Sequence, residues 1–448
     1  MAPRNQRRKP HSRKDTSPQA SRAGGLKMLA AIGRDFAGLL EGRRRAEGQS
    51  GGPTIRSQVS LDFVNLFEAD VTTGIGPFLS VYLRASRHWD PAQIGMAISA
   101  QGIAVMLAQT PAGALVDATT RKRLLLALAS ITIGIGSIAI TVAPGLPGVI
   151  AAQAAIGVAG ALVPLLVAAI SLGLVGRARL SRRVGRNEAF NHAGNVLGAI
   201  FAGILGHALA RRAIFYMAAV MSVLTAGAAI SIREREIDHR LAREGKGEQG
   251  EDSPIAPFIA LARDWRLMVF AASVLLFQLA NGAILPLVGE VLANTAAGSS
   301  ELYMSWSIIA GQCVMIPIAI FAGYFCAEYG RKPTMLIAFV ALPIYAALCT
   351  ATTDPLLLVG VQALGGVTSG ILTVVAIQIV NDIARGSGRF NLMEGLVFTC
   401  LSVGPSLSNL FAGFVARRAG FDAAFYALAG IGALALAVFA IFMPETKR

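Results

Sequence analysis

The chain has 448 residues, 54% of them hydrophobic and only 15% charged, with a mean hydropathy of +0.58. Water-soluble domains carry about 25% charged residues, so an ordinary soluble domain is excluded and a chain threaded repeatedly through a bilayer is expected. The net charge of +14 does not imply nucleic acid, because the cations gather in one tail and in short loops, as on one face of a membrane protein.

In chain order, residues 1–58 form a basic tail. Within it, 26–45 (LKMLAAIGRDFAGLLEGRRR) spaces Leu26, Leu29, Ile32, Phe36 and Leu39 or Leu40 at helical intervals. The segment reads equally as an amphipathic helix on an anionic leaflet or as a disordered tail. It is not a signal peptide, because Lys27, Arg34 and Asp35 break the apolar run. A span needs about 20 apolar residues. Twelve such spans follow, near 60–83, 92–117, 123–143, 147–175, 187–209, 213–232, 267–292, 301–327, 333–349, 356–383, 390–416 and 421–443. Residues 233–266, charged and carrying GKGEQGEDSP, separate six spans from six and read as a cytoplasmic linker.

The basic residues test this map. Arg84, Arg87, Arg211, Arg212, Arg417 and Arg418 fall in loops on one side, and the remaining 34 of the 40 Lys and Arg lie on the other. That bias places both termini in the cytoplasm. Trp89, Trp265 and Trp306 fall at span ends, where interfacial anchors belong. On this count no Lys or Arg lies within any span, Arg123 standing at the very edge of one.

The two halves echo one another. GIGPFLSVYL (74–83) aligns with AILPLVGEVL (283–292), bringing Pro77 onto Pro286. GALVDATTRK (113–122) aligns with GYFCAEYGRK (323–332), and LARRAIFY (209–216) with VARRAGFDAAFY (415–426). The expectation is an all-α membrane protein of twelve transmembrane helices in two pseudo-symmetric six-helix bundles, 59–232 and 267–448, with a substrate site between them near the midplane.

These residues make the chain resemble the major facilitator superfamily over 59–448. The family signature between spans 2 and 3 is G-x-x-x-D-[RK]-x-G-[RK]-[RK]. Gly113, Asp117, Arg121 and Lys122 match it, while Ala118 and Thr120 depart from it. The second-half copy keeps Gly323, Gly330, Arg331 and Lys332, with Ala327 at the acidic position and Glu328 beside it. The resemblance implies that these eight matching residues form a conformational latch, and that spans 1, 4, 5, 7, 10 and 11 supply most of the cavity. Span 5 lacks the Gly/Pro pattern of the family's proton-coupled exporters; Gly395 and Gly404-Pro405 in span 11 are a partial echo.

Span 1 carries acids where each costs about 2.5–3.5 kcal/mol on insertion scales. At about 100° per residue, Asn65, Glu68 and Thr72 form one polar stripe, and Asp70 lies about 160° away among Phe63, Gly74 and Val81. The two acids therefore cannot share a proton. Glu68, Asp70 and Glu394, with His192, are the expected proton-coupling groups. Asp62 and Glu290 lie near span ends and read as structural. Asn65, Thr72, Asn195, Gln278, Asn281, Gln378 and Asn409 are cavity candidates.

Together these readings predict a secondary active transporter of a bacterial inner membrane, moving a small organic solute by alternating access. Proton-coupled export of a cationic, zwitterionic or neutral compound is favoured, with an uptake permease or uncoupled facilitator as the alternative, and a non-transporting sensor or assembly subunit as the alternative of another class. Enzyme motifs are absent from the sequence. No metal and no cofactor beyond a proton or another coupling cation is expected. The partners are the lipid bilayer and a small-molecule substrate, without nucleic acid, for a monomeric protein.

Overall fold

In the computed structural model, residues 53–69, 75–239, 241, 264–296, 298–384 and 390–447 are described. The tail segment 26–45, most of the linker, and Asp70 and Thr72 lie outside these residues. The described part is helical throughout: α1 (Ile55–Ala69), α2 (Ile75–Arg87), α3 (Pro91–Ala118), α4 (Lys122–Val142), α5 (Leu146–Val175), α6 (Arg177–Ala208), α7 (Ala213–Ser231), α8 (Trp265–Asn281), α9 (Ile284–Thr295), α10 (Ser300–Tyr329), α11 (Arg331–Leu348), α12 (Pro355–Ala384), α13 (Phe390–Ala419) and α14 (Phe421–Phe442). A 3-10 turn, Glu234–Glu236, follows α7.

Eleven helices are long and apolar enough to cross a membrane, with α8 and α9 counted as one. The first expected span, 60–83, covers α1 and α2, and residues 70–74 between them lie outside the described residues. The fifth expected span, 187–209, is corrected more deeply: α6 begins at Arg177, ten residues earlier, and carries five arginines inside its first three turns. Apolarity alone could not find that end, because a helix continues past the hydrocarbon wherever its charges are neutralised or reach water.

The helix starts follow from local chemistry. Asp90 accepts hydrogen bonds from the amides of Ala92 and Gln93, Gln93 answers through the Asp90 amide, and Pro91 stands at the first helical position. Asp264 caps α8 and Asp354 caps α12 in the same manner. Gly330, at φ 104°, makes the left-handed turn from α10 into α11 that a side chain would strain. Hydroxyls facing lipid or neighbouring helices return to their own backbone, as Ser137 does to Ile133 and Ser222 to Ala218, which satisfies these donors where water is absent.

Two buried cores result. One joins Leu61, Tyr82, Leu126, Ile156, Leu166 and Phe215 within the first half. The other is built on Phe270, Phe277, Phe339, Phe425 and Phe439 of the second half, and takes in Phe78, Val81, Ala202, Ile214 and Met217 from the first. Between helices in lipid the attraction is close packing rather than the hydrophobic effect.

The segments that leave α7 and α14 anchor in matching places. After α7, Glu234 pairs with Arg123 of α4 at 2.8 Å, and Arg123 also donates to the carbonyls of Ile230 and Ile232. After α14, Glu445 accepts from the backbone amides of Arg331 and Lys332 at the start of α11, and Lys332 donates to the Ala440 carbonyl. Burial alone would raise the Glu445 carboxyl, but amide donors from Lys447, Arg331, Lys332 and Thr446 outweigh it and hold the group below the usual carboxylate range. Glu236 is likewise held low: Thr54 and Ser57 donors and the Arg233 charge overcome its partial burial. These anchors lie at one end of the helices, together with the start of α1; the opposite end carries residues 88–90, 209–212, 296–299 and 420, and is called the far end below.

Candidate functional site

The seventh span is interrupted: α8 stops at Asn281 and α9 resumes at Ile284, with Pro286 at the third residue of the resumed helix. Residues 70–74, between α1 and α2, lie outside the described residues. An interrupted span at the interface of two repeats marks the substrate region of transporters. Gly282 allows this interruption to lie against α13, since a Cβ there would collide with Pro405.

Glu68 lies in the last turn of α1, 4% exposed, and its Oε2 accepts the Ser130 hydroxyl of α4 at 3.3 Å. Asn65 is also buried, its amide turned back to the Leu61 carbonyl at 2.7 Å. The helical-wheel stripe of Asn65 and Glu68 therefore meets the interior of the first half. Asp70 and Thr72, the other two members of that analysis, are outside the described residues.

Asp62 of α1 pairs with two arginines in the first turns of α6. Its Oδ1 accepts from Arg183 at 2.8 Å and from Arg186 at 2.8 Å, and Arg186 also reaches Oδ2. Arg183 further donates to Asn187, which itself donates to Ser171. This network of α1, α5 and α6 was hidden because the arginines had been assigned to a loop.

His192 of α6 faces the second half, its Nδ1 3.3 Å from Oε1 of Gln312 on α10. Asn195 donates to Asn191 one turn back. Gln278 donates to the Leu401 carbonyl, and Asn409, also buried, to the carbonyls of Gly282 and Pro405. Asn281, Gln378 and Glu394 are half-buried. The polar candidates thus divide: His192 links the halves, while Gln278 and Asn409 tie α13 to the α8–α9 interruption.

At the signature copies, Lys122 is fully buried and donates to the carbonyls of Val116 and Thr119, closing the end of α3. Arg331 donates to Asp382 of α12 at 2.8 Å and to the Cys326 carbonyl. Gly113 and Gly323 have open space where a Cβ would be.

The sequence reading missed the seam between the halves toward the far end. Ser99 of α3 donates to the Ser406 carbonyl of α13, and Cβ atoms on Gly95 or Gly413 would collide with the opposing backbone at Asn409 and Pro91. Ser305 of α10 donates to the Ala199 carbonyl of α6 beside Gly203. Arg211 pairs with Glu301, which is 2% exposed, and Arg84 donates to Asn294 at 3.0 Å. Arg417 approaches Asp90 at 3.9 Å. The small residues at Gly95, Gly102, Gly203 and Gly206 were the available signal. Among the described residues, no group of three His, Cys, Asp or Glu could hold a metal.

The Major Facilitator Superfamily model matches residues 61–292 and 270–448. An "Uncharacterized MFS-type transporter" of Mycobacterium tuberculosis (strain ATCC 25618 / H37Rv) is 39% identical over 86% of this chain and 93% of its own. The multidrug resistance protein MdtL of Citrobacter koseri is 25% identical over 40% of this chain and 44% of its own. The crystal structure of the nucleoside transporter NupG superposes with a TM-score of 0.71 at 16% identity, covering 87% of this chain and 100% of that one, which is a likeness of fold.

Proposed function

The chain belongs to the major facilitator superfamily, a family of transporters and not of enzymes, and from that premise we propose that it exports a small organic solute by alternating access in exchange for protons. One observation carries the reading: Glu68 is a buried acid within a membrane-crossing half, in the last turn of α1, with a hydroxyl donating to it. A carboxyl in low dielectric holds a proton until water or a cation reaches it. A group so placed can load from one side and unload to the other. The partial likeness to MdtL supports export, the bacterial relatives support an inner membrane, and the loop arginines support both termini in the cytoplasm.

The seam supports alternation. Close backbone contacts at α3–α13, α6–α10 and α2–α9 gather toward the far end, which on this orientation faces outward, so the chain is captured with its outer side shut. The Asp62 network absorbs Arg183 and Arg186 and leaves the preference for a cationic, zwitterionic or neutral solute in place. Solutes that raise thermal stability identify ligands, and reconstituted vesicles then test coupling. Flux should follow an imposed pH gradient in the native protein and lose that response in Glu68→Gln. Gradient-driven flux that survives the substitution would overturn the role of Glu68; flux indifferent to pH would make the protein a facilitator, and binding without flux a sensor.

A further inference from the structure

Glu290 is the buried acid that neither the latch nor the Glu68 reading uses. It lies on α9, about 8 Å from the far end of that helix, and is 2% exposed. Its Oε2 is buried without a hydrogen-bond donor, and no ion pair reaches it among the described residues. The halves are in close contact at its level: at the adjacent Gly289, a Cβ would collide with the Ser80 hydroxyl of α2 and crowd the Pro77 carbonyl.

The surrounding charges are accounted for. Arg84 on α2 and Asp90 beyond it act on Glu290 electrostatically, in opposite senses. Arg84 is engaged elsewhere, donating to Asn294 and to the Trp89 carbonyl at 3.0 Å each, with its guanidinium 5.9 Å from the Phe421 ring centroid. Arg87 is held by the carbonyls of Ile140, Thr141 and Ala143. On the other elements packed against α9, Glu301 of α10 pairs with Arg211, Asp382 of α12 pairs with Arg331, and Arg417 of α13 lies near Asp90. Glu394 on α13 is half-buried toward the opposite end, and Arg418 and Asp422 flank the α13–α14 turn at the far end. None of these groups is paired with Glu290.

An ionised carboxylate without a partner is expensive to bury, whereas the neutral acid is not. When α2 and α9 part, water reaches the group and the ion is stable again. We propose that Glu290 is a proton-binding site of the far-end gate, neutral while α2 and α9 touch and ionised when they separate. One proton moves from hydronium in the facing aqueous phase to the carboxylate on closure, and returns to water on opening. Acid on that side therefore shuts the gate. The inference goes beyond the transport reading and stands whether or not flux is proton-coupled.

Hydrogen–deuterium exchange of the full chain in lipid nanodiscs, without any solute, tests it. Exchange in peptides covering 75–90 and 284–300, corrected for the intrinsic effect of pH, should quicken as pH rises, by up to about tenfold per pH unit for one linked proton. Peptides covering 230–239 serve as the control and should not follow. Glu290→Gln should hold the far-end peptides slow at every pH, and Glu290→Asp should keep a pH response. Native exchange that ignores pH, or an unchanged pH response in Glu290→Gln, overturns the proposal, and neither result bears on Glu68.

Discussion

Arg183 and Asp62 meet at 2.8 Å with each side chain only 3% exposed, which makes them a buried pair inside the first half. Arg186 completes the network at its more exposed edge.

Breaking such a pair leaves one buried charge without compensation, at a cost of about 3–5 kcal/mol. Asp62→Ala should therefore lower the unfolding midpoint in detergent more than Arg186→Ala, because Arg183 is then stranded. Equal, small shifts for the two variants would show that water reaches the site.

The seam predicts a conformational effect instead. Gly95→Ala pushes a methyl into the Asn409 carbonyl of α13, so α3 and α13 must separate. A cysteine placed at Ser99, 1% exposed on that seam, should react faster with maleimide in that background, in a protein whose thermal stability has changed little. Unaltered labelling would mean that the contact is not part of the gate.

Lys122 separates two roles. The resemblance makes it a latch, whereas the geometry has it capping α3 through the Val116 and Thr119 carbonyls. Lys122→Met strips the donors from buried carbonyls, which costs about 1–3 kcal/mol. A fall in the melting midpoint without a change in maleimide labelling of a cysteine at Ser99 supports the cap; altered labelling at unchanged stability supports the latch.

Glu445 carries a pH dependence outside the membrane. Its carboxyl is held below the ordinary value of about 4.3 by amide donors, so its contribution is present above that value and is lost as pH falls through the lower, folded-state value. Amide exchange at Arg331 and Lys332 should quicken in acid in the native protein. In Glu445→Gln it should already be fast at neutral pH.

Much of this was legible beforehand. Eleven of the twelve expected spans fall on helices long and apolar enough to cross a membrane, because a membrane helix announces itself by apolar length. Arg183 was misplaced because a charged helical turn and a charged loop have the same composition, and only the contact with Asp62 separates them. Glu301 looked like the first residue of a span, and Arg211 like a topogenic charge. Their pairing joins residues 90 positions apart, and no local pattern encodes that. The glycines at 95, 102 and 203 were visible as letters, but which helix each would meet depended on the assembled fold.

The Gly95–Asn409 approach bears on how easily the machine turns over. Where two helices touch through bare backbone and short hydroxyls, there are no long side chains to unthread, and little rotamer freedom is surrendered on rejoining. Such a joint can come apart and close many times along the same track, and its strength can be tuned one methyl at a time.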